Sequence, residues 1–412
     1  MMILLLVLPG LIWVVLDQGM RTGDDVFYQN LAVLIHDHVV CGPRSGEWLL
    51  TIMPAKAPWL WYVGALFVGV GRMIGSVRTG LLLYPVLMQV ATAALFARVL
   101  FVRFRSGNAV RLGVLVLLAA PLYLVMSTQF WTEVNRIFVV VVFLLLLVDH
   151  ARFGLVEYSL WILVACGLAV LDKTTALAYV LVPAAGIAVC WVRKWTTETR
   201  PWTRWVVPGA LATGLLTLSA FFYAQNLPAI LDWMHHAMSS DHYVIDTTWS
   251  YGLRLIYWMS MMGIHLLTPW TVVILLVVVA RLLWTGSWSR PWGVAVLQIC
   301  LTLLLFARTG NPEIRFMLPL LPYLAIATVD VTRVLRGRLR HIVIGAFVLQ
   351  FVIYQCTAFG ALPFQWPFYI YRPVQIEAPA QTGLVDAVAH HADPFRDAIL
   401  FNTMGGGHPF NS

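Results

Sequence analysis

The sequence predicts an all-α polytopic membrane protein: a bundle of about eleven transmembrane helices, with interfacial helices and a small α/β tail. Three observations predict it. Of the 412 residues 60% are hydrophobic and only 11% charged, and the mean hydropathy is +0.81; a water-soluble domain of this length would leave much of that apolar surface exposed. The apolar residues come in unbroken runs of about 20, enough to span hydrocarbon as a helix. They lack the alternation of barrel strands, and because backbone polar groups in a bilayer must be satisfied within a segment or a closed barrel, the runs are helices. The basic residues gather in short loops between the runs, so the net charge of +8 is a topology signal rather than a sign of nucleic acid.

The run Met1–Leu16 has the length of a secretory h-region, but no basic segment precedes it and no small-residue cleavage site stands ahead of Asp17. It reads as a retained first span, 1–17, followed by an outer loop over 18–78. Further spans fall near 79–98, 110–127, 134–150, 156–172, 174–192, 205–224, 265–284, 292–307, 314–330 and 341–358. Threading them alternately puts three arginine-rich loops on one side, those of Arg98 to Arg111, Arg193 to Arg204 and Arg333 to Arg340, and the positive-inside rule makes that side cytoplasmic. The outer side receives most acids, among them Asp24, Asp25, Asp37, Glu133, Asp232 and Glu313. The scheme requires that Trp59–Ile74 and Tyr251–Ile264 do not cross, and both are expected to be interfacial helices on the outer leaflet. Residues 1–358 thus form a transmembrane module and 359–412 an extracytoplasmic tail, helical near 382–392 and strand-like near 398–402. Five scattered cysteines indicate packing, not a disulfide framework or a CxxC metal site.

The candidate chemistry lies at the outer boundary. Asp24 and Asp25 follow the first span, where a carboxylate can take a proton from an acceptor hydroxyl or amine; the alternative is that they cap the helix running through Tyr28 to Ile35. Only three of the 27 basic side chains are lysines, and Lys56 and Lys173 both fall outside. A compact ammonium at headgroup level suits a lipid phosphate. Snorkelling, or pairing of Lys173 with Asp172, would account for them too. Glu133 stands just ahead of a span as a second acidic point. Arg308 and Arg315 flank Gly310-Asn311-Pro312-Glu313, where guanidinium forks bind phosphate bidentately or anchor helix ends. His235 and His236, with Asp232, Asp241 and His242, fit no zinc spacing, so no metal is assigned and no cofactor is required, although a divalent ion is compatible. Neither a Walker A motif nor a dinucleotide-binding glycine pattern is present.

Taken in order, these segments resemble the integral membrane glycosyltransferases of the GT-C fold, in particular the protein O-mannosyltransferase and aminoarabinose lipid A transferase group. The resemblance is carried by Asp24-Asp25 with Tyr28 after the first span, by Lys56-Ala57-Pro58-Trp59, similar to the family's Lys-Pro-Pro-Leu, and by Arg78 opening the second span. Gly167-Leu168-Ala169-Val170-Leu171-Asp172-Lys173 is similar to Gly-Leu-x-x-Leu-Thr-Lys, and Arg315 to Pro322 is similar to the late Arg-x-x-Leu-Pro-x-x-Pro. Ala57 replaces a proline of the first motif, and Glu133 stands where aspartate is more usual, which leaves the acceptor open.

The resemblance implies an inverting transferase that takes a sugar from a polyprenyl- or dolichyl-phosphate donor. Asp24, with Asp25 beside it, would serve as base and Glu133 as a second acidic group, while Lys56, Arg78, Lys173, Arg308 and Arg315 would hold the donor phosphate. The partners implied are the lipid-phosphate donor, membrane lipids and a lipid, glycan or protein acceptor, without nucleic acid. The arginine bias and short loops suggest a bacterial inner membrane with the site facing outward. The rival classes are a transporter or flippase and a non-catalytic scaffold; transport usually leaves ionisable residues inside the spans, and these spans read as nearly free of them.

Overall fold

The structure is a computed structural model that describes residues 2–16, 24–42, 56–194, 203–239, 249–286, 292–308, 313–333, 335 and 337–359. Among them all regular structure is helical: α1 (Met2–Leu16), α2 (Asp24–Cys41), α3 (Trp59–Met73), α4 (Val77–Phe104), α5 (Gly107–Leu118), α6 (Pro121–Met126), α7 (Glu133–Val148), α8 (Leu155–Asp172), α9 (Leu181–Arg193), α10 (Thr203–Ser239), α11 (Tyr251–Met262), α12 (Pro269–Trp284), α13 (Gly293–Phe306), α14 (Leu321–Thr332) and α15 (Arg338–Ala358). Short 3-10 segments, Thr174–Tyr179 and Ile314–Leu320, lead into α9 and α14. The expected tail lies outside the described residues, apart from Phe359.

Every expected span coincides with a helical stretch. Among the described residues, five stretches are long and apolar enough on their own to cross a membrane, namely Val77–Phe104, Leu155–Asp172, Thr203–Asp232, Ile314–Thr332 and Arg338–Ala358. The boundaries differ where turn chemistry intervenes. The span expected at 110–127 is broken into α5 and α6 at Pro121, whose ring removes a backbone donor. The one expected from residue 265 starts at Pro269, after a bend of 102°, and Thr268 at the bend has φ +67. Arg98 and Arg103, expected in a loop, are the last turns of a longer α4.

Contacts at the helix ends fix the relative directions. Tyr84 of α4 meets Asn135 of α7 at 2.7 Å, and fourteen residues on in each helix Arg98 meets Asp149 at 2.9 Å; α4 and α7 therefore run parallel. Arg103 reaches Asp330 of α14 at 3.4 Å, and Asp330 also accepts the Trp292 amide at 2.8 Å. One end of the bundle thus carries Arg98, Arg103 and Arg333, and the other carries Glu133, Lys173 and Arg315, as the alternate threading requires. The stretch Trp59–Ile74 becomes α3, which pairs with α2 through His36 Nδ1 and the Ala65 carbonyl at 2.9 Å and through Arg72 and Asp37. Where α3 turns into α4, Gly71 and Gly80 let the backbones touch, since a Cβ on Gly80 would lie 2.4 Å from the Gly71 Cα.

Candidate active site at one end of the bundle

Three chain segments converge at this end. The first turn of α7 supplies Glu133 and Arg136, which are 1% and 0% exposed. Arg136 Nη2 donates to Glu133 Oε1 at 2.8 Å and to Thr132 Oγ1 at 2.5 Å, and its Nε lies 3.4 Å from Asp172 Oδ2 at the end of α8. A guanidinium at a helix N-terminus is opposed by the helix dipole and by desolvation, so these two carboxylates are what keep it there. The 3-10 segment before α14 supplies Arg315, whose Nε donates to Glu313 Oε2 at 2.6 Å and lies 3.8 Å from Glu133 Oε1. Its guanidinium stacks 4.3 Å over the Trp131 ring.

Lys173 follows Asp172 in extended backbone (φ −171, ψ 143), and its Nζ sits 4.9 Å from the Phe316 ring centroid. Burial pushes its ammonium down from the usual 10.5 to about 7; the Arg136 and Arg315 charges add to the fall, while Glu133 and Glu313 oppose it. The cluster therefore joins three cations, Arg136, Lys173 and Arg315, to three carboxylates, Glu133, Asp172 and Glu313. Arg136 Nη1, Asn135 Nδ2 and both Asp172 oxygens reach no partner in normal hydrogen-bond geometry, although Asn135 lies beside Asp172 and Tyr179 beside Arg136.

The backbone that presents Lys173 and Arg315 is braced from behind. The break between Thr174–Tyr179 and α9 frees peptide groups, and side chains of other helices take them: Gln298 Nε2 donates to the Ala178 carbonyl at 2.8 Å and Gln298 Oε1 accepts the Val182 amide at 2.8 Å. Tyr323 donates to the Tyr179 carbonyl at 2.7 Å, and the Tyr179 hydroxyl donates to the Phe316 carbonyl at 2.8 Å. The Lys173 and Arg315 segments are thus tied to each other and to α13 and α14.

Lys56 belongs to a neighbouring group. Its Nζ is 3.5 Å from the Tyr28 hydroxyl and 5.1 Å from the centroids of both the Phe27 and Tyr28 rings. Tyr28 stacks on Trp61, and Trp59 Nε1 donates at 3.1 Å to the Tyr84 hydroxyl, which in turn donates to Asn135. A continuous polar and aromatic path therefore links the start of α3 to the residue beside Arg136. Asp24 and Asp25 open α2 one turn before Tyr28; their side chains lie outside the described residues.

Of the residues singled out in the sequence, Glu133, Lys173 and Arg315 come together. Arg78 is half-buried in the first turn of α4, six residues before Tyr84. Arg308 is exposed just past α13, in the chain leading to Glu313. Asp232 and His235 are exposed on α10, while Asp241 and His242 lie outside the described residues. Two members of the cluster carry no role in the sequence reading. Asp172 reads in the sequence as a partner for Lys173, and its described ion pair is with Arg136. Arg136 contradicts the expectation of nearly charge-free spans, as does Asp330, also 0% exposed. The i,i+3 spacing of Glu133 and Arg136 was the available signal.

No protein-family model matches the sequence, and no curated protein matches it. Solved structures that are similar include the crystal structure of ArnT from Cupriavidus metallidurans bound to undecaprenyl phosphate, with a TM-score of 0.56 and 17% identity, and the same protein in the apo state, with a TM-score of 0.56 and 19% identity. Each alignment covers 87% of this chain and 64% of that one, so the chain spans about two thirds of the length of the structures it matches. What is shared at this identity is the fold, and it is the GT-C architecture that the sequence motifs resemble.

Proposed function

We propose that the chain is an inverting glycosyltransferase that moves a sugar from a polyprenyl-phosphate donor to an acceptor on the extracytoplasmic face of the membrane. The observation that carries this reading is the convergence of Lys173, Arg315, Arg136, Glu133 and Asp172 at one end of the bundle, in a fold shared with ArnT, which was crystallised bound to undecaprenyl phosphate. Lys173 and Arg315 hold the donor phosphate, and Lys56, Arg78 and Arg308 are assigned to it as further cations on the sequence resemblance alone. As the bond from the anomeric carbon to the phosphate oxygen breaks, its electron pair stays on the lipid phosphate, and the fixed cations stabilise that charge more in the transition state than in the ground state.

The acceptor attacks the opposite face of the anomeric carbon and its proton passes to Asp24, with Asp25 beside it; inversion follows. Glu133, held by Arg136 and near Arg315, is suited to orient the guanidinium groups and a substrate hydroxyl rather than to take a proton. A transport reading expects ionisable groups at mid-span. The buried charges among the described residues, Glu133, Arg136, Asp149, Asp172 and Asp330, all stand within about one turn of a helix end.

The test is transfer of radiolabelled sugar from polyprenyl-phosphate donors by the purified protein in lipid. Asp24→Asn is expected to abolish transfer while leaving donor binding intact, and Lys56→Ala to weaken donor binding. Absence of turnover with every donor, together with donor binding that neither substitution alters, would remove the proposal in favour of a transporter or scaffold.

A further inference from the structure

We infer that Glu313 is the internal counter-anion of the donor site, a carboxylate that the lipid phosphate must displace from Arg315, and so a residue that sets which anions the site holds and how tightly. The inference rests on the reading above of Lys173 and Arg315 as phosphate-binding cations. Three observations carry it. First, among the described residues Arg315 already has carboxylates on it, Glu313 at 2.6 Å and Glu133 at 3.8 Å, so a phosphate reaching its guanidinium either crowds a further negative charge against them in a largely buried site or replaces one of them.

Second, the three carboxylates differ in how easily they can leave. The side chains of Glu133 and Asp172 are 2% and 1% exposed, and both pair with the buried Arg136. Glu313 is 33% exposed and pairs with Arg315. It precedes the 3-10 segment in extended backbone (φ −66, ψ 110), so its side chain can turn towards water without unwinding a helix. Third, Arg315 does not depend on Glu313 for its position, because its guanidinium lies 4.3 Å over Trp131 and 3.8 Å from Glu133. When the Glu313 carboxylate swings out, the fork stays in place for another anion.

The exchange has a direction in the reaction. A donor phosphodiester carries one negative charge, and replacing one carboxylate by it leaves the balance unchanged. After transfer the lipid phosphate is a monoester with a charge of about −1.5 to −2, which the cations would hold more tightly. The returning Glu313 carboxylate competes for Arg315 and limits that hold, favouring release of the product lipid.

The test uses the full chain in lipid nanodiscs, with farnesyl phosphate as the probe and farnesol as its uncharged control. Glu313→Gln and Glu313→Ala are expected to bind farnesyl phosphate about tenfold more tightly than the wild type, the order expected from removing one charge a few ångströms from a partly solvated site. Farnesol affinity and the thermal unfolding midpoint should not move. Unchanged or weaker phosphate binding in both variants, with a wild type that prefers the phosphate to the alcohol, overturns the inference and leaves the donor site standing. If no chain distinguishes phosphate from alcohol, the donor-site reading fails and the inference falls with it.

Discussion

At Lys173 the structure makes a definite statement about pH. Burial holds the ammonium near 7, so above that pH the group is neutral, and binding an anion requires it to take up a proton again. The affinity for a lipid phosphate is therefore expected to fall as pH rises from about 7 to 9, by up to about tenfold per unit, with proton uptake visible as a buffer-dependent heat of binding. Lys173→Arg, permanently charged, should flatten that dependence; a wild-type affinity independent of pH over this range would show that Lys173 does not meet the phosphate. Glu133, Lys173 and Arg315 were legible in the sequence because each stands at an edge between a loop and an apolar run, where a charge is conspicuous. Arg136 and Asp172 were not, because one lies inside the run that defines α7 and the other beside a lysine that offered a ready partner. Their pairing is long-range, 36 residues apart, and no local pattern announces it.

Among the elements, the helix breaks do the positioning. In a membrane a broken helix exposes peptide groups that must find partners, and here Gln298 and Tyr323 take those freed at 178–182 while Tyr179 reaches across to the Phe316 carbonyl. The same device recurs at the bend before α12, where Thr268 donates to Gln350 Oε1 at 2.8 Å and Gln350 Nε2 donates to the Ala119 carbonyl at 2.6 Å, at the point where α5 stops. If the brace sets the spacing of Lys173 and Arg315, then Tyr179→Phe, which removes one hydroxyl, should weaken donor phosphate binding several-fold while costing about 1 kcal/mol of stability. Titration with farnesyl phosphate alongside thermal unfolding checks it; equal loss of phosphate and farnesol binding would indicate general loosening instead. The sequence located these elements through their apolar runs but misplaced the starts at 265 and 110–127. Hydropathy is blind to a 3-10 segment and to a positive φ at Thr268, and the glutamines that satisfy the breaks read as isolated polar residues within spans.

Across the whole molecule, charge divides between two ends. Arg98 with Asp149 and Arg103 with Asp330 occupy one, and the Lys173–Arg315 cluster the other. The division was readable because each arginine-rich loop is short and alternate threading leaves little choice. The convergence of 131–136, 172–173 and 313–316 was not, since it depends on how α7, α8 and α14 pack. The central claim is that the lipid phosphate of the donor binds at the second end. It is tested most directly by determining the structure of the protein in nanodiscs with a polyprenyl phosphate bound. The account predicts phosphate oxygens within about 3 Å of Lys173 Nζ and an Arg315 guanidinium nitrogen, the reach of a charge-assisted hydrogen bond, with the isoprenoid tail running between helices. A phosphate seated among Arg98, Arg103 and Arg333 at the other end would contradict it.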